Sequence, residues 1–144
     1  MIEQDTIKLL RECDAGVKMG VSSIEEVLDN VSDKGLEKTL TKCKEEHCVL
    51  DKEIQKLLNK YKDDGKDPEP IAKGMSWMKT NIMLAVKESD STIADLMTDG
   101  CNMGVKSLNK YLNQYKGADE VSEDIAKRLI NLEEKLAVDI REYL

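Results

Sequence analysis

Hydrophobic residues recur at intervals of three and four along four separate segments of the chain. This spacing places them on one face of an α-helix, so each segment is predicted to be an amphipathic helix that buries a single stripe. The first two stripes are Leu10, Cys13, Val17, Gly20, Ile24, Val27 and Val31, then Leu36, Leu40, Cys43, His47, Leu50, Ile54, Leu57 and Tyr61. The other two are Thr98, Cys101, Val105, Leu108, Leu112 and Tyr115, then Ile125, Leu129, Leu132, Leu136, Ile140 and Tyr143. The pattern predicts an all-α protein.

Short polar links separate the two helices of each pair. Residues 32–35 lie between the first two stripes, and residues 116–119 lie between the last two. Links this short join neighbouring antiparallel helices. The sequence therefore predicts two helical hairpins, over about residues 4–63 and 91–143, within a single domain that covers residues 1–144.

The segment between the hairpins, residues 64–90, has a different character. Pro68 and Pro70 disfavour helix in the residues before them, which predicts a helix stop and an extended linker. The run Ser89-Asp90-Ser91-Thr92 is predicted to supply the N-cap of a helix that continues through Ile93. Between these points a further helical stripe consists of Ile71, Met75, Met78, Ile82 and Ala85. We expect a long crossover that carries its own helix and returns the chain along the bundle.

Composition and charge narrow the classes of function. Asp and Glu number 29 against 22 Lys and Arg, for a net charge of −7, and the absence of a basic stripe argues against nucleic acid as a partner. No run approaches the roughly 20 apolar residues of a membrane span. The N-terminus is acidic and does not resemble a signal peptide. We therefore expect a cytoplasmic protein without a membrane partner, in which the four cysteines are free thiols.

The two hairpins resemble each other in sequence. Residues 13–18 read Cys-Asp-Ala-Gly-Val-Lys, and residues 101–106 read Cys-Asn-Met-Gly-Val-Lys. In the second helices Leu36 corresponds to Ile125 and Leu40 to Leu129, with the helical phase preserved. The chain is therefore predicted to contain an internal duplication of a helical hairpin.

Two hairpins related by a pseudo-twofold axis and joined by a long crossover describe a ferritin-like bundle. Through residues 13–21 and 99–106 the chain resembles the ferritin-like superfamily, and specifically its small bacterial members of uncharacterised function. The resemblance covers essentially the whole chain. It implies a ferritin-like four-helix bundle of two repeated hairpins with a helix-containing crossover.

The iron chemistry of that superfamily requires residues that this sequence lacks. Ferritin-like oxidases bind two irons through one inward Glu on each of two helices and a Glu-x-x-His on each of the others. The single histidine, His47, has Lys44 three positions before it. The first and third stripes carry Cys13 and Cys101 in regions where carboxylates would be needed. We therefore predict no di-iron centre and no catalytic residues.

The sequence is also compatible with a smaller metal site. Cys43 and His47 are four apart on one helical face with Glu46 beside them, and thiolate, imidazole and carboxylate together suit zinc or iron. A partner or a second chain would then complete the ligands. The alternative is structural, with Cys43 as a small core residue and His47 as a tolerated polar residue. Gly20 is expected at the level of His47, where it would leave room for the imidazole.

Two further expectations concern packing. Gly16 and Gly104 occupy equivalent positions of the repeat inside helices, where glycine costs about 1 kcal/mol relative to alanine, so we expect them to meet at a close crossing of the first and third helices. On the crossover helix Trp77 and Leu84 share a face. They either cap the edge of the bundle or form a homodimer contact, since Trp and Met are enriched in interface cores.

The leading hypothesis is a non-catalytic ferritin-like bundle that acts through binding or assembly as a homodimer. The alternative is a metal-binding protein with its site around His47.

Overall fold

The computed structural model describes residues 4–67 and 89–144, and within these two ranges the regular structure is entirely helical. α1 spans Gln4–Leu28, α2 spans Lys34–Lys60, α3 spans Asp90–Gln114 and α4 spans Glu120–Asp139. A short 3-10 helix, Arg141–Tyr143, ends the chain. The predicted all-α fold with four bundle helices is confirmed. The helix predicted over residues 71–85 lies outside the described residues.

Side-chain caps begin three of the helices. Asp33, Ser89 and Asp119 have extended backbones, and each accepts a hydrogen bond from a backbone N–H in the first turn that would otherwise lack a partner. The N-cap predicted within residues 89–92 is therefore confirmed, and the capping residue is Ser89. The link predicted at residues 116–119 falls between α3 and α4 as expected. The first predicted link is wrong in its second half, because α2 begins at Lys34 and only residues 32 and 33 of the predicted range 32–35 lie between helices.

Hydrogen bonds at the ends of the bundle establish the helix directions. The N–H of Asp119, at the start of α4, donates to Thr6 near the start of α1, so these two helices begin at the same end. At the other end the N–H groups of Ser32 and Asp33, which precede α2, donate to Asp90 at the start of α3. Each hairpin is thus antiparallel, α1 is parallel to α4, and α2 is parallel to α3.

Contacts are described at both ends of the segment between the hairpins. After α2, Asp63 pairs with Arg11 and Asp67 pairs with Lys18, so this loop lies beside the first two-thirds of α1. The next described residue, Ser89, precedes Asp90 at the opposite end. The two described ends of this segment, residues 67 and 89, therefore lie at different levels of the bundle, and the predicted crossover between them lies outside the described residues.

Two apolar clusters fill the interior, one toward each end of the bundle. α4 packs against all three other helices, and α1 also packs against α3. The first cluster, nearer the α1–α2 turn, consists of Ile24, Val27, Leu36, Leu40, Cys43, Ile93, Leu96, Met97, Cys101, Leu136 and Ile140. The second consists of Leu9, Leu10, Cys13, Val17, Leu50, Ile54, Leu58, Leu108, Ile125, Ala126, Leu129 and Ile130. None of the described helices is both long and apolar enough to cross a membrane.

The close contact expected between Gly16 and Gly104 is wrong. A Cβ at Gly16 would meet Leu129 of α4 at 3.4 Å, and a Cβ at Gly104 would meet Glu133 of α4 at 3.5 Å. Both glycines therefore face α4, because α4 packs against α1 and α3 together. A smaller difference concerns the end of α2, where Leu58 is buried and Leu57 only partly so, since the stripe continues from Ile54 by four residues.

The two similar sequence segments, residues 13–18 and 101–106, differ in one buried polar contact. Asp14 is fully buried and accepts hydrogen bonds from Gln55, Lys18 and the backbone N–H of Lys66, which fastens the loop after α2 to α1. The corresponding residue in α3, Asn102, is exposed. The two segments are thus alike in burying Cys13 and Cys101, but they differ at the next residue, where only Asp14 is buried.

Candidate functional site

A polar layer crosses the middle of the bundle between the two apolar clusters. Each helix contributes one residue to it: Gly20 from α1, His47 from α2, Gly104 from α3 and Glu133 from α4. We call these four residues the mid-bundle layer. Two large polar side chains thus occupy the space that two glycines leave open.

His47 is bound through both ring nitrogens. Nδ1 lies 2.8 Å from the carbonyl oxygen of Cys43, and Nε2 lies 3.2 Å from Oε1 of Glu133. A carbonyl oxygen and a carboxylate both accept hydrogen bonds, so this geometry fits an imidazolium ring that donates from both nitrogens. His47 is 1% exposed and the Glu133 side chain is 12% exposed, which makes the pair a buried salt bridge.

The electrostatics agree with this protonation state. Burial of the ring lowers the pKa of His47, but hydrogen bonds and charge interactions with Cys43 and Glu133 outweigh burial and raise the pKa from 6.5 to about 10. The ring is therefore charged at neutral pH, and Glu133 supplies the counter-charge from the opposite helix.

Two thiols adjoin the layer on the side of the first cluster. Cys43 places Sγ 3.5 Å from Nδ1 of His47, and Cys101 lies within hydrogen-bonding reach of Glu133. Burial, together with the charge of Glu133, raises the pKa of Cys101 above its ordinary value. All four cysteines are free, as predicted from the sequence, and Cys48 alone among them is exposed.

Gly20 makes the room that His47 requires. A Cβ at this position would lie 2.7 Å from Nε2 and 2.8 Å from Cδ2 of His47, closer than side chains tolerate. The expectation that Gly20 lies level with His47 and leaves space for its ring is confirmed. At Gly104 the same addition would meet Glu133 at ordinary van der Waals distance.

The three residues predicted as metal ligands face two different environments. His47 lies in the interior against Glu133, whereas Glu46 lines a surface cleft between α2 and α4, and Cys43 lies between the two environments. Over the part of the chain that the structure describes, no three His, Cys, Asp or Glu side chains are placed to hold a metal ion. Binding through His47 would also require one of its two hydrogen bonds to break.

Glu133 is the layer residue that the sequence reasoning did not place. It lies three residues before Leu136 and four after Leu129, so it falls on the edge of the buried stripe of α4. That spacing was a usable signal. Comparison of the two similar hairpins does not pair Glu133 with His47, because the position that corresponds to Glu133 in the first hairpin is Lys44.

Comparison with known proteins finds no matching protein-family model, no matching curated protein and no matching solved structure.

We expect Gly20→Ala to destabilise the protein because the added Cβ would push the imidazole away from Glu133. Overpacking of this kind costs about 1–3 kcal/mol, which exceeds the gain of about 1 kcal/mol from the better helix propensity of alanine. Gly104→Ala is the matched control, and we expect it to leave the free energy of unfolding unchanged or raise it by about 1 kcal/mol. Denaturant unfolding measures both values. Equal stabilisation by the two changes would contradict the packing of the layer.

The contribution of His47 to stability should depend on pH. Because the pKa of His47 is higher in the folded protein (about 10) than its ordinary 6.5, its stabilising effect is complete below 6.5 and is lost as the pH rises through about 10. The advantage in unfolding free energy of the wild type over Glu133→Gln should therefore shrink with rising pH, by at most about 1.4 kcal/mol per pH unit. An advantage that stays constant over this range would show that the pair is not ionic.

Proposed function

We propose that this chain is a non-catalytic helical bundle that acts through binding or assembly. The observation that carries the proposal is the composition of the mid-bundle layer. At the depth where a helical bundle builds a reactive centre from inward-facing side chains, His47 and Glu133 satisfy each other, and Gly20 and Gly104 bring no chemistry. Among the described residues no buried side-chain nitrogen or oxygen lacks a hydrogen-bond partner.

The helix directions support a ferritin-like relationship as part of this proposal. Two antiparallel hairpins, with α2 parallel to α3 and a long connection between them, are what one crossover in a four-helix bundle produces. The sequence similarity between residues 13–18 and 101–106 also supports this relationship. Under this proposal the chain retains the four-helix bundle of the superfamily but has other residues at the inward-facing positions that bind metal in its oxidases.

The ligand chemistry argues against a di-iron oxidase. Such a centre takes carboxylates from all four helices and two imidazoles. The layer offers one carboxylate, one imidazole and two glycines, and the neighbouring thiols of Cys43 and Cys101 are not the oxygen ligands of that chemistry. The competing proposal is a metal site around His47 that a partner chain completes, in which the ring would exchange Glu133 for the metal.

Aerobic ferrous iron provides the direct test of the non-catalytic proposal. We expect oxidation no faster than in buffer, because the carboxylate set is incomplete, and no stoichiometric zinc or iron in protein purified without a tag or chelator. Absorbance stopped-flow and elemental analysis measure the two quantities. A rapid oxidation burst would contradict the proposal. Bound metal that is lost in His47→Gln, with the fold retained by circular dichroism, would support the competing metal site.

Assembly as a homodimer through Trp77 and Leu84 belongs to the same proposal, although both residues lie outside the described ranges. We expect the wild type to sediment as a dimer at equilibrium and Trp77→Ser to shift it toward monomer, since a buried Trp is a typical interface anchor. Met103→Ser is the control, because Met103 is an exposed apolar residue of α3. A monomeric wild type at all concentrations would contradict the homodimer.

A further inference from the structure

A cleft of about 180 Å³ opens between α2 and α4 beside the mid-bundle layer. Its wall carries three lysines and two carboxylates, and Cys43 lies at its base: the charged residues are Lys38, Lys42, Lys135, Glu46 and Asp139. Basic side chains therefore outnumber acidic ones in this cleft, although the chain as a whole carries a net charge of −7.

Cys43 connects the cleft to the layer. Only 7% of the residue is exposed, and it lines the cleft while its Sγ lies 3.5 Å from Nδ1 of His47. The sulfur of Cys43, the imidazole of His47 and the carboxylate of Glu133 thus follow one another in space. In such an arrangement the carboxylate orients the ring, and the ring supports a sulfur nucleophile. Lys135 adds a second positive charge close enough to interact with Cys43, and pairs with Asp139 at 2.7 Å.

We propose that Cys43 is a thiol-modification site that reacts by exchange with small disulfides that carry carboxylates. The lysines of the cleft attract the negatively charged reagent, and the imidazolium of His47, whose Nδ1 lies 3.5 Å from the sulfur, places a further positive charge beside the attacking atom. This inference is independent of the proposed function, because the reaction is a stoichiometric modification and not a turnover.

The exchange is balanced with the disulfide as the oxidant. The thiol proton of Cys43 leaves to solvent, and the thiolate sulfur attacks one sulfur of the reagent. One S–S bond breaks and one forms, so Cys43 becomes a mixed disulfide and the other half of the reagent departs as a thiolate. Two electrons pass from Cys43 to the leaving thiol group, and no further reactant is required.

The other cysteines provide internal controls. Cys13 and Cys101 are buried, and burial raises the pKa of both thiols, that of Cys13 to about 12, so both remain protonated and covered. Cys48 is exposed on the same helix but does not line the cleft. Exposure alone would thus make Cys48 the reactive thiol, whereas the cleft and His47 favour Cys43.

The first experiment uses the folded wild-type protein and dithiobis(nitrobenzoate), a dianionic disulfide, with neutral dipyridyl disulfide in parallel. Quenching at intervals followed by peptide mass spectrometry gives the rate at each cysteine. We expect Cys43 to form the mixed disulfide with the dianionic reagent at least about tenfold faster than Cys48, and Cys13 and Cys101 to react only after unfolding. If Cys43 also waits for unfolding, or reacts more slowly than Cys48, the proposal is overturned.

The second experiment tests the role of the cleft charges with surface variants. Lys42→Gln combined with Lys135→Gln should lower the rate at Cys43 severalfold with the dianionic disulfide and leave the rate with the neutral disulfide unchanged. Lys52→Gln, four residues beyond Cys48, is the matched control and should not alter the rate at Cys43 with either reagent. An equal effect of the double variant on both reagents would overturn the recognition of a negatively charged disulfide.

Discussion

The buried salt bridge between His47 and Glu133 is the constraint on which the middle of this bundle depends. Removing two charges from water costs several kcal/mol per ion, and the mutual attraction offsets that cost only where the geometry also satisfies the remaining polar atoms. Here both ring nitrogens have acceptors, one of them the carbonyl of Cys43 on the same helix. Such a pair tolerates little axial sliding of α2 against α4, because a displacement would leave a charge buried and unpaired.

The rest of the bundle is arranged so that this pair can form. Gly20 has no side chain and so leaves space for the His47 ring. Apolar clusters on both sides of the layer keep water away from it. A second contact reinforces the same helix pair, since Arg128 of α4 donates two hydrogen bonds of 2.8 Å to Glu53 of α2. α2 and α4 therefore have two charged contacts in register, one buried and one near the surface, and the buried one contributes most to specificity of alignment.

Local patterns in the sequence predict the helices, the cap at the start of α3 and the depth of His47, because these depend on residues close together in the chain. The cap at Ser89 and the agreement in level between Gly20 and His47 follow from spacing alone. The partner of His47 does not, because Glu133 lies on another helix and its selection depends on how α4 rotates against α2. The mistaken contact between Gly16 and Gly104 has the same origin. Small residues signal a close approach, but they do not identify which of three neighbouring helices approaches.

The location of the salt bridge also bears on the thiol chemistry that we propose at the edge of the interior. Because His47 and Glu133 bind each other, the layer presents its charges as a pair and not as isolated groups. The positive charge of the His47 ring nevertheless acts one helical turn along α2, where Nδ1 lies 3.5 Å from Sγ of Cys43. Cys43 is also where the packing between α2 and α4 opens to a cleft with a surplus of lysines. In the chemistry that we propose, the interaction that stabilises the interior also places a positive charge beside a thiol at its boundary, and the single turn between His47 and Cys43 links the two effects.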